Sequence, residues 1–284
     1  MARGIIAAAL LVLLTSVAAR ADEYATLIKD CQHGDTDPDK AIKACPPLAE
    51  MQGAEPIERA YAYQNLAIAY QVKGDDGTAI AFFDKALKNF PDFWQARAGR
   101  VQSEIMRDDL DAAVADFELL GKMDTTLSDT AKLPLGVHYW SVKKHVADDG
   151  AITTPDDQTP QGMIGRLKDD LARALTARCA IRASNRAYES ALPDCNLAFS
   201  YRPSLLQARG LRGYIEFRQG QLPAALADLD AVLAGNPKAA AALYTRGVVK
   251  HRMGDAKGGD GDIQAALALE PNVAKNLNAK GVTP

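Results

Sequence analysis

The chain has 284 residues, of which 48% are hydrophobic and 24% charged, with a formal net charge of −3. That balance suffices to bury one or two cores and excludes a disordered chain. Mild acidity without a basic stripe excludes a nucleic-acid binder, and an aromatic content of 6% is too low for a lectin-like sugar platform.

The first segment reads as a secretory leader. Arg3 precedes an apolar run from Ile5 to Val17, and Ala19-Arg20-Ala21 supplies the small residues that a signal peptidase reads. Residues 1–21 are therefore expected to be a signal peptide cleaved after Ala21. The run is short for a membrane span, and no cysteine follows the small-residue site to take a lipid. The expected product is periplasmic or secreted, with no stable membrane insertion after cleavage.

Residues 22–59 are expected to form an N-terminal helical cap. Cys31 and Cys45 flank a polar stretch within it, and in an oxidising compartment they are expected to bond and close the cap into a loop. Asp35, Asp37 and Asp39 imitate the first half of a calcium loop. Lys40 stands where the sharp turn needs glycine and Pro46 where a bidentate glutamate is needed, so no metal is expected there.

From Ala60 onward the chain is periodic. Pro203, Pro237 and Pro271 follow one another at steps of 34 residues, which is the tetratricopeptide period. The expected fold is all-α, a tetratricopeptide-repeat (TPR) solenoid of antiparallel helix pairs, with about five repeats in two blocks. Residues 60–125 hold two units. In the first, Tyr63, Leu66, Ala67, Tyr70, Gly74, Ala79, Phe83, Ala86 and Pro91 fall on successive motif positions: the alanines let two helices approach, the aromatics fill the gap and Gly74 turns the chain. The second, from Trp94, keeps Ala113 and Phe117 but has Glu104 where an aromatic is usual. Residues 126–170 lose the period and read as an irregular insert with one helix, from about Pro134 to Val146.

Three contiguous units are expected over 171–273, starting from Ala172, Leu206 and Ala240, with Gly220 and Gly254 at interhelix turns and Gly259 where alanine is usual. Cys179 and Cys195 occupy the eighth and twenty-fourth positions of their unit, which face each other across the hairpin, so a second disulfide is expected. No Cys-x-x-Cys is present to suggest redox activity. Residues 274–284 read as a tail, with no obvious solvating helix beyond Pro271. One bent solenoid and two small lobes are both compatible with this pattern.

The segments Arg178-Cys179, Ala191-Leu-Pro-Asp-Cys195, Leu243-Tyr-Thr-Arg-Gly247 and Gly254-Asp-Ala-Lys-Gly-Gly259 resemble a group of secreted alphaproteobacterial tetratricopeptide-repeat proteins. The resemblance extends over nearly the whole mature chain, through Ala41-Ile-Lys-Ala-Cys45 and Lys280-Gly-Val282. It implies the fold and the compartment and carries no catalytic residues.

In such arrays the concave groove is lined from fixed positions of each first helix. Counting gives Tyr61, Gln64, Ile68, Gln71, Gln95 and Gln102 in the N-terminal block, and Arg173, Gln207, Tyr214, Phe217, Arg218, Tyr244, His251 and Arg252 in the C-terminal one. The latter is an aromatic surface edged with positive charge, suited to an extended peptide with an apolar anchor and an acidic or carboxylate end. The lysine and asparagine of the cytosolic chaperone clamp are replaced by Gln64 and Ile68, or by Thr176 and Ala180, which excludes that clamp. No serine elbow, zinc helix, phosphate loop or paired-carboxylate cleft occurs at its required spacing, so no catalytic residue, cofactor or metal is expected. His138, His145 and Trp140 of the insert are read as docking on the repeat scaffold. The expected function is a protein- or peptide-binding scaffold; the alternatives are a self-assembling component of the cell envelope, in which the protein would partner itself, or an enzyme with its site at the insert.

Overall fold

Five residues at one register position set the course of the chain. Gly74, Asp108, Arg186, Gly220 and Gly254, the fifteenth residue of each unit, all have a positive φ, between 60° and 91°. Each ends a helix in a Schellman turn, in which the following amide reaches back to a carbonyl five residues upstream: Asp75 to Tyr70, Asp109 to Glu104, Ala187 to Arg182, Gln221 to Glu216 and Asp255 to Lys250, all at 2.8–3.0 Å. Asp75, Asp109 and Asp255 then cap the next helix by accepting from the amides of Thr78, Ala112 and Gly258. Glycine adopts this backbone without steric cost; Asp108 and Arg186 adopt it against one.

The computed structural model describes residues 22, 24–123, 145–146, 152–153 and 160–284. The expected signal peptide, most of the expected 134–146 helix, and His138 and Trp140 lie outside the described residues. The chain divides into two compact units at Leu167/Lys168.

In the first unit, α1 (residues 24–31) and α2 (Pro38–Ala49) precede two helix pairs, α3 (Pro56–Val72) with α4 (Asp76–Asn89) and α5 (Trp94–Met106) with α6 (Leu110–Leu120). The Cys31–Cys45 disulfide joins α1 to α2. Ala67 and Ala79 are fully buried between α3 and α4, and Phe83 lies so close to Gly99 of α5 that a Cβ there would sit 2.4 Å from its ring. His145–Val146 (β1) and Ile152–Thr153 (β2) form a two-residue antiparallel ladder. His145 and Val146, the last two residues of the expected insert helix, lie in β1 instead, and β-branched Val146 suits a strand better than a helix.

The second unit begins within α7 (Pro160–Ser184), which runs straight through the expected boundary at residue 171. It continues with α8 (Tyr188–Tyr201), α9 (Leu206–Arg218), α10 (Leu222–Gly235), α11 (Ala240–Arg252) and α12 (Ala256–Leu269). The Cys179–Cys195 disulfide joins α7 to α8 with Cα atoms 5.6 Å apart. Gly213 and Leu229 occupy the same two register positions in the next repeat, as do Gly247 and Ile263 in the last, so the disulfide stands where a glycine otherwise receives an aliphatic side chain. A short helix, α13 (Val273–Asn278), follows Pro271. Its presence corrects the expectation of a bare tail: it starts in the register of another first helix but turns early at Gly281, whose φ is 80°.

One element of the fold escaped the sequence reading. Four repeats carry an arginine on the first helix bound through two nitrogens to an aspartate on the second, always 16 residues away: Arg100–Asp116 (2.5 and 2.8 Å), Arg178–Asp194 (2.9 and 2.8 Å), Arg212–Asp228 (2.5 and 2.7 Å) and Arg246–Asp262 (both 2.7 Å). Arg100, Arg212 and Arg246 also reach the preceding second helix, at Asp84, Asn196 and Asp230. Each rung thus clamps a pair and ties it to its neighbour by charge-assisted bonds of fixed geometry. Burial alone would raise the Asp262 carboxyl, yet Arg246 and Lys250 hold it below the ordinary range. The first pair, with Leu66 and Phe82 in these places, instead stacks Phe82 between Tyr63 and Tyr70 at 6.3 and 5.5 Å. Repeated helix pairs, repeated turns and repeated rungs together make this an all-α tetratricopeptide-repeat fold.

Candidate functional site

The candidate groove residues divide by what they face. In the first unit, Tyr61 is buried edge-on against Phe93 at 4.6 Å. Gln71 donates to the carbonyl of Gly99 and to Ser103 Oγ, both at 2.9 Å, bracing α3 against α5. Gln64 and Gln95 are buried, Ile68 packs partly buried on the α3–α4 core, and Gln102 is exposed. Most of these side chains pack helices together.

Glu104, on α5, replaces an aromatic with a buried carboxyl. Burial, reinforced by the charge of Asp116, pushes it up from 4.5 to about 7, while Arg100 works in the opposite direction.

In the second unit the side chains converge. Tyr214 and Arg218 on α9 both donate to the carbonyl of Lys280, Tyr214 at 3.0 Å. Arg252 on α11 donates to the carbonyl of Thr283 at 3.3 Å, with its guanidinium 4.4 Å over the Phe217 ring. Tyr244 shares a 2.9 Å hydrogen bond with the Asn278 carboxamide, whose nitrogen, turned toward the tail, meets the Val282 carbonyl at 2.7 Å. Between these contacts Val282 is fully buried, in one apolar cluster with Phe217, Tyr244 and Val248. The Arg218 guanidinium stacks 5.4 Å from the Tyr188 ring and lies on Gly281, where a Cβ would fall 2.2 Å from it. Burial, with Tyr188 beside it, pushes the Tyr214 phenol up to about 12. It is therefore a neutral donor across the physiological range.

The arrangement recognises main chain. Tyr214, Arg218 and Arg252 offer N–H and O–H donors to carbonyl oxygens, Phe217 and Tyr244 wall a slot for one aliphatic side chain, and the Arg218–Gly281 contact demands a residue without a side chain. Arginine also complements the partial negative charge of a helix C-terminus such as that of α13.

Three candidates stand apart from this convergence. His251 faces α12: its ring lies against Gly259, where a Cβ would meet it at 2.3 Å, and its Nε2 is 3.0 Å from Asp260. The imidazole fills the space of the alanine usual at that position, which accounts for Gly259. Arg173 is exposed and pairs with Asp170 one turn back on its own helix. Gln207 is exposed at the start of α9.

No protein-family model and no curated protein matches the chain. Among solved structures it is similar to YrrB, described as a TPR protein with an unusual peptide-binding site, at 20% identity over 87% of this chain and 99% of that one, with a TM-score of 0.45. MamA matches at 13% identity over 76% and 94% of the two chains, with a TM-score of 0.42. A tetratricopeptide repeat protein from Parabacteroides merdae matches at 14% identity over 92% and 89%, with a TM-score of 0.38.

Proposed function

We propose that the protein is a scaffold that binds other proteins or peptides through the face formed by α9 and α11, in the periplasm or outside the cell. One observation carries this reading: Tyr214, Arg218, Tyr244 and Arg252 converge on a stretch of polypeptide and contact it through its carbonyls, its Asn278 carboxamide and one apolar side chain. A face that holds main chain through donors and one aliphatic slot has the chemistry of peptide recognition. The preferred ligand is a segment with an aliphatic anchor beside carbonyl or carboxylate oxygens, since an anion would draw on Arg218 and Arg252 more strongly than a carbonyl does.

Two observations support export. The Cys31–Cys45 and Cys179–Cys195 bonds belong to an oxidising compartment, and residues 1–21 have the composition of a leader. Among the described residues no helix is long and apolar enough to cross a membrane.

The test is affinity capture from periplasmic extract under non-reducing conditions, comparing the wild type with Arg218→Glu/Arg252→Glu. A partner held by the wild type and lost from the double variant, with unchanged helical content by circular dichroism, is the expected result. Equal retention by both proteins contradicts the assignment of the face.

A further inference from the structure

The segment on the α9–α11 face belongs to the chain itself, and it is lightly held. Helix α13 is six residues long, against 11 to 25 for α2 to α12. Beyond it the amides of Gly281 and Val282 bond to the carbonyls of Asn278 and Leu277 in another Schellman turn, placed at the eighth position of the register instead of the fifteenth. Of residues 279–284 only Val282 is fully buried, while Ala279, Lys280, Thr283 and Pro284 are exposed. The remaining hold is the set of donors from Tyr214, Arg218 and Arg252 together with the Asn278 carboxamide on the Val282 carbonyl. A segment anchored by one side chain and a few half-exposed hydrogen bonds opens locally without unfolding the repeats beneath it.

We infer that residues 279–283 are an internal occupant of the α9–α11 face, which a peptide presenting a glycine followed by a small aliphatic residue displaces. This rests on the reading of that face as a peptide site. The structure states the ligand's chemistry: a carbonyl for Tyr214 and Arg218, no side chain beneath the Arg218 guanidinium, an aliphatic anchor among Phe217, Tyr244 and Val248, and a second carbonyl for Arg252. Because the tail competes from within the same molecule, a segment seated nine-tenths of the time weakens every external ligand by about tenfold.

The test uses the full mature chain and a fluorescent peptide copying residues 276–284. Gly281→Val places a Cβ against Arg218 on a backbone with positive φ, and Val282→Asp puts a carboxylate into the apolar slot; either change unseats the tail while leaving the α9 and α11 side chains intact. Hydrogen exchange at the amides of residues 281 and 282 reports the opening, and fluorescence anisotropy reports the affinity. The expected result is faster exchange in both variants and binding of the probe about tenfold tighter than to the wild type, abolished by adding Arg218→Glu. An opened tail with no gain in affinity overturns the inference, as does a tail that stays protected in both variants. Failure here with a partner still captured by the wild type and lost from Arg218→Glu/Arg252→Glu removes the displacement alone. A gain in probe affinity with no partner captured removes the scaffold reading alone.

Discussion

Gln71 and Arg218 occupy neighbouring register positions, twelve and thirteen, near the ends of corresponding first helices, yet they serve opposite ends. Gln71 turns into the protein, where Gly99 leaves a carbonyl within reach and Ser103 adds a hydroxyl. Arg218 turns outward to the Lys280 carbonyl. The difference lies in what each neighbouring helix offers. An amide is satisfied by one carbonyl and one hydroxyl, whereas a guanidinium carries five donors and a charge. Around Arg218 lie the Lys280 carbonyl, Gly281 and the Tyr188 ring. Corresponding helix ends therefore pack against a neighbouring helix in one unit and hold a returning stretch of main chain in the other.

Breaking the rungs gives the largest effect and treats both units alike. Asp116→Ala and Asp228→Ala each take the two-point carboxylate from a partly buried arginine, Arg100 keeping Asp84 and Arg212 keeping Asn196, and are expected to cost about 2 kcal/mol in chemical denaturation. If Asp228→Ala cost nothing, the ladder of the second unit would be ornamental and its face would need another support. The contrast itself is sharpened by Gln71→Ala and Arg218→Ala. The first removes two partly buried hydrogen bonds and should destabilise its unit by about 1 to 2 kcal/mol. The second should change overall stability by less than about 0.5 kcal/mol while accelerating hydrogen exchange at residues 281 and 282. Equal losses of stability would erase the distinction between packing and recognition.

A further expected effect depends on pH and concerns Glu104. Its carboxyl titrates near 7 in the fold and near 4.5 otherwise, so the folded chain binds its proton more tightly. The associated stability is fully present below about 4.5 and is lost as the pH rises through about 7. Glu104→Gln should remove that decline, gaining about 1 to 2 kcal/mol relative to the wild type between pH 5 and pH 8 in urea denaturation midpoints.

Much of this architecture is legible in the sequence because repeats print the same constraint several times. The prolines at steps of 34 residues each stand two residues beyond a second helix, and Gly74, Gly220 and Gly254 mark the turns. The turns at Asp108 and Arg186 were not marked, since register and not residue type imposes the positive φ there. The rungs were legible as well: an arginine at the seventh position and an aspartate 16 residues later recur in four units, a signal that emerges only when polar positions are aligned with the same care as apolar ones. Counting also singles out Tyr214, Phe217, Arg218, Tyr244 and Arg252 as groove candidates, but does not foresee that Lys280 and Val282 come back onto them. That return depends on an early turn at Gly281, which no period announces. The contact of the His251 ring with Gly259 on α12 is likewise one that no period announces.

The central claim, that the α9–α11 face receives a polypeptide partner, is tested most directly by site-specific photocrosslinking in the native compartment. A photoreactive residue at Gln207, exposed at the start of α9, should crosslink a discrete partner, and the yield should fall when Arg218→Glu/Arg252→Glu is introduced. The same residue at Lys257, exposed on α12, should not crosslink that partner. Crosslinking from Lys257 but not from Gln207, or a yield at Gln207 indifferent to the arginines, would contradict the account.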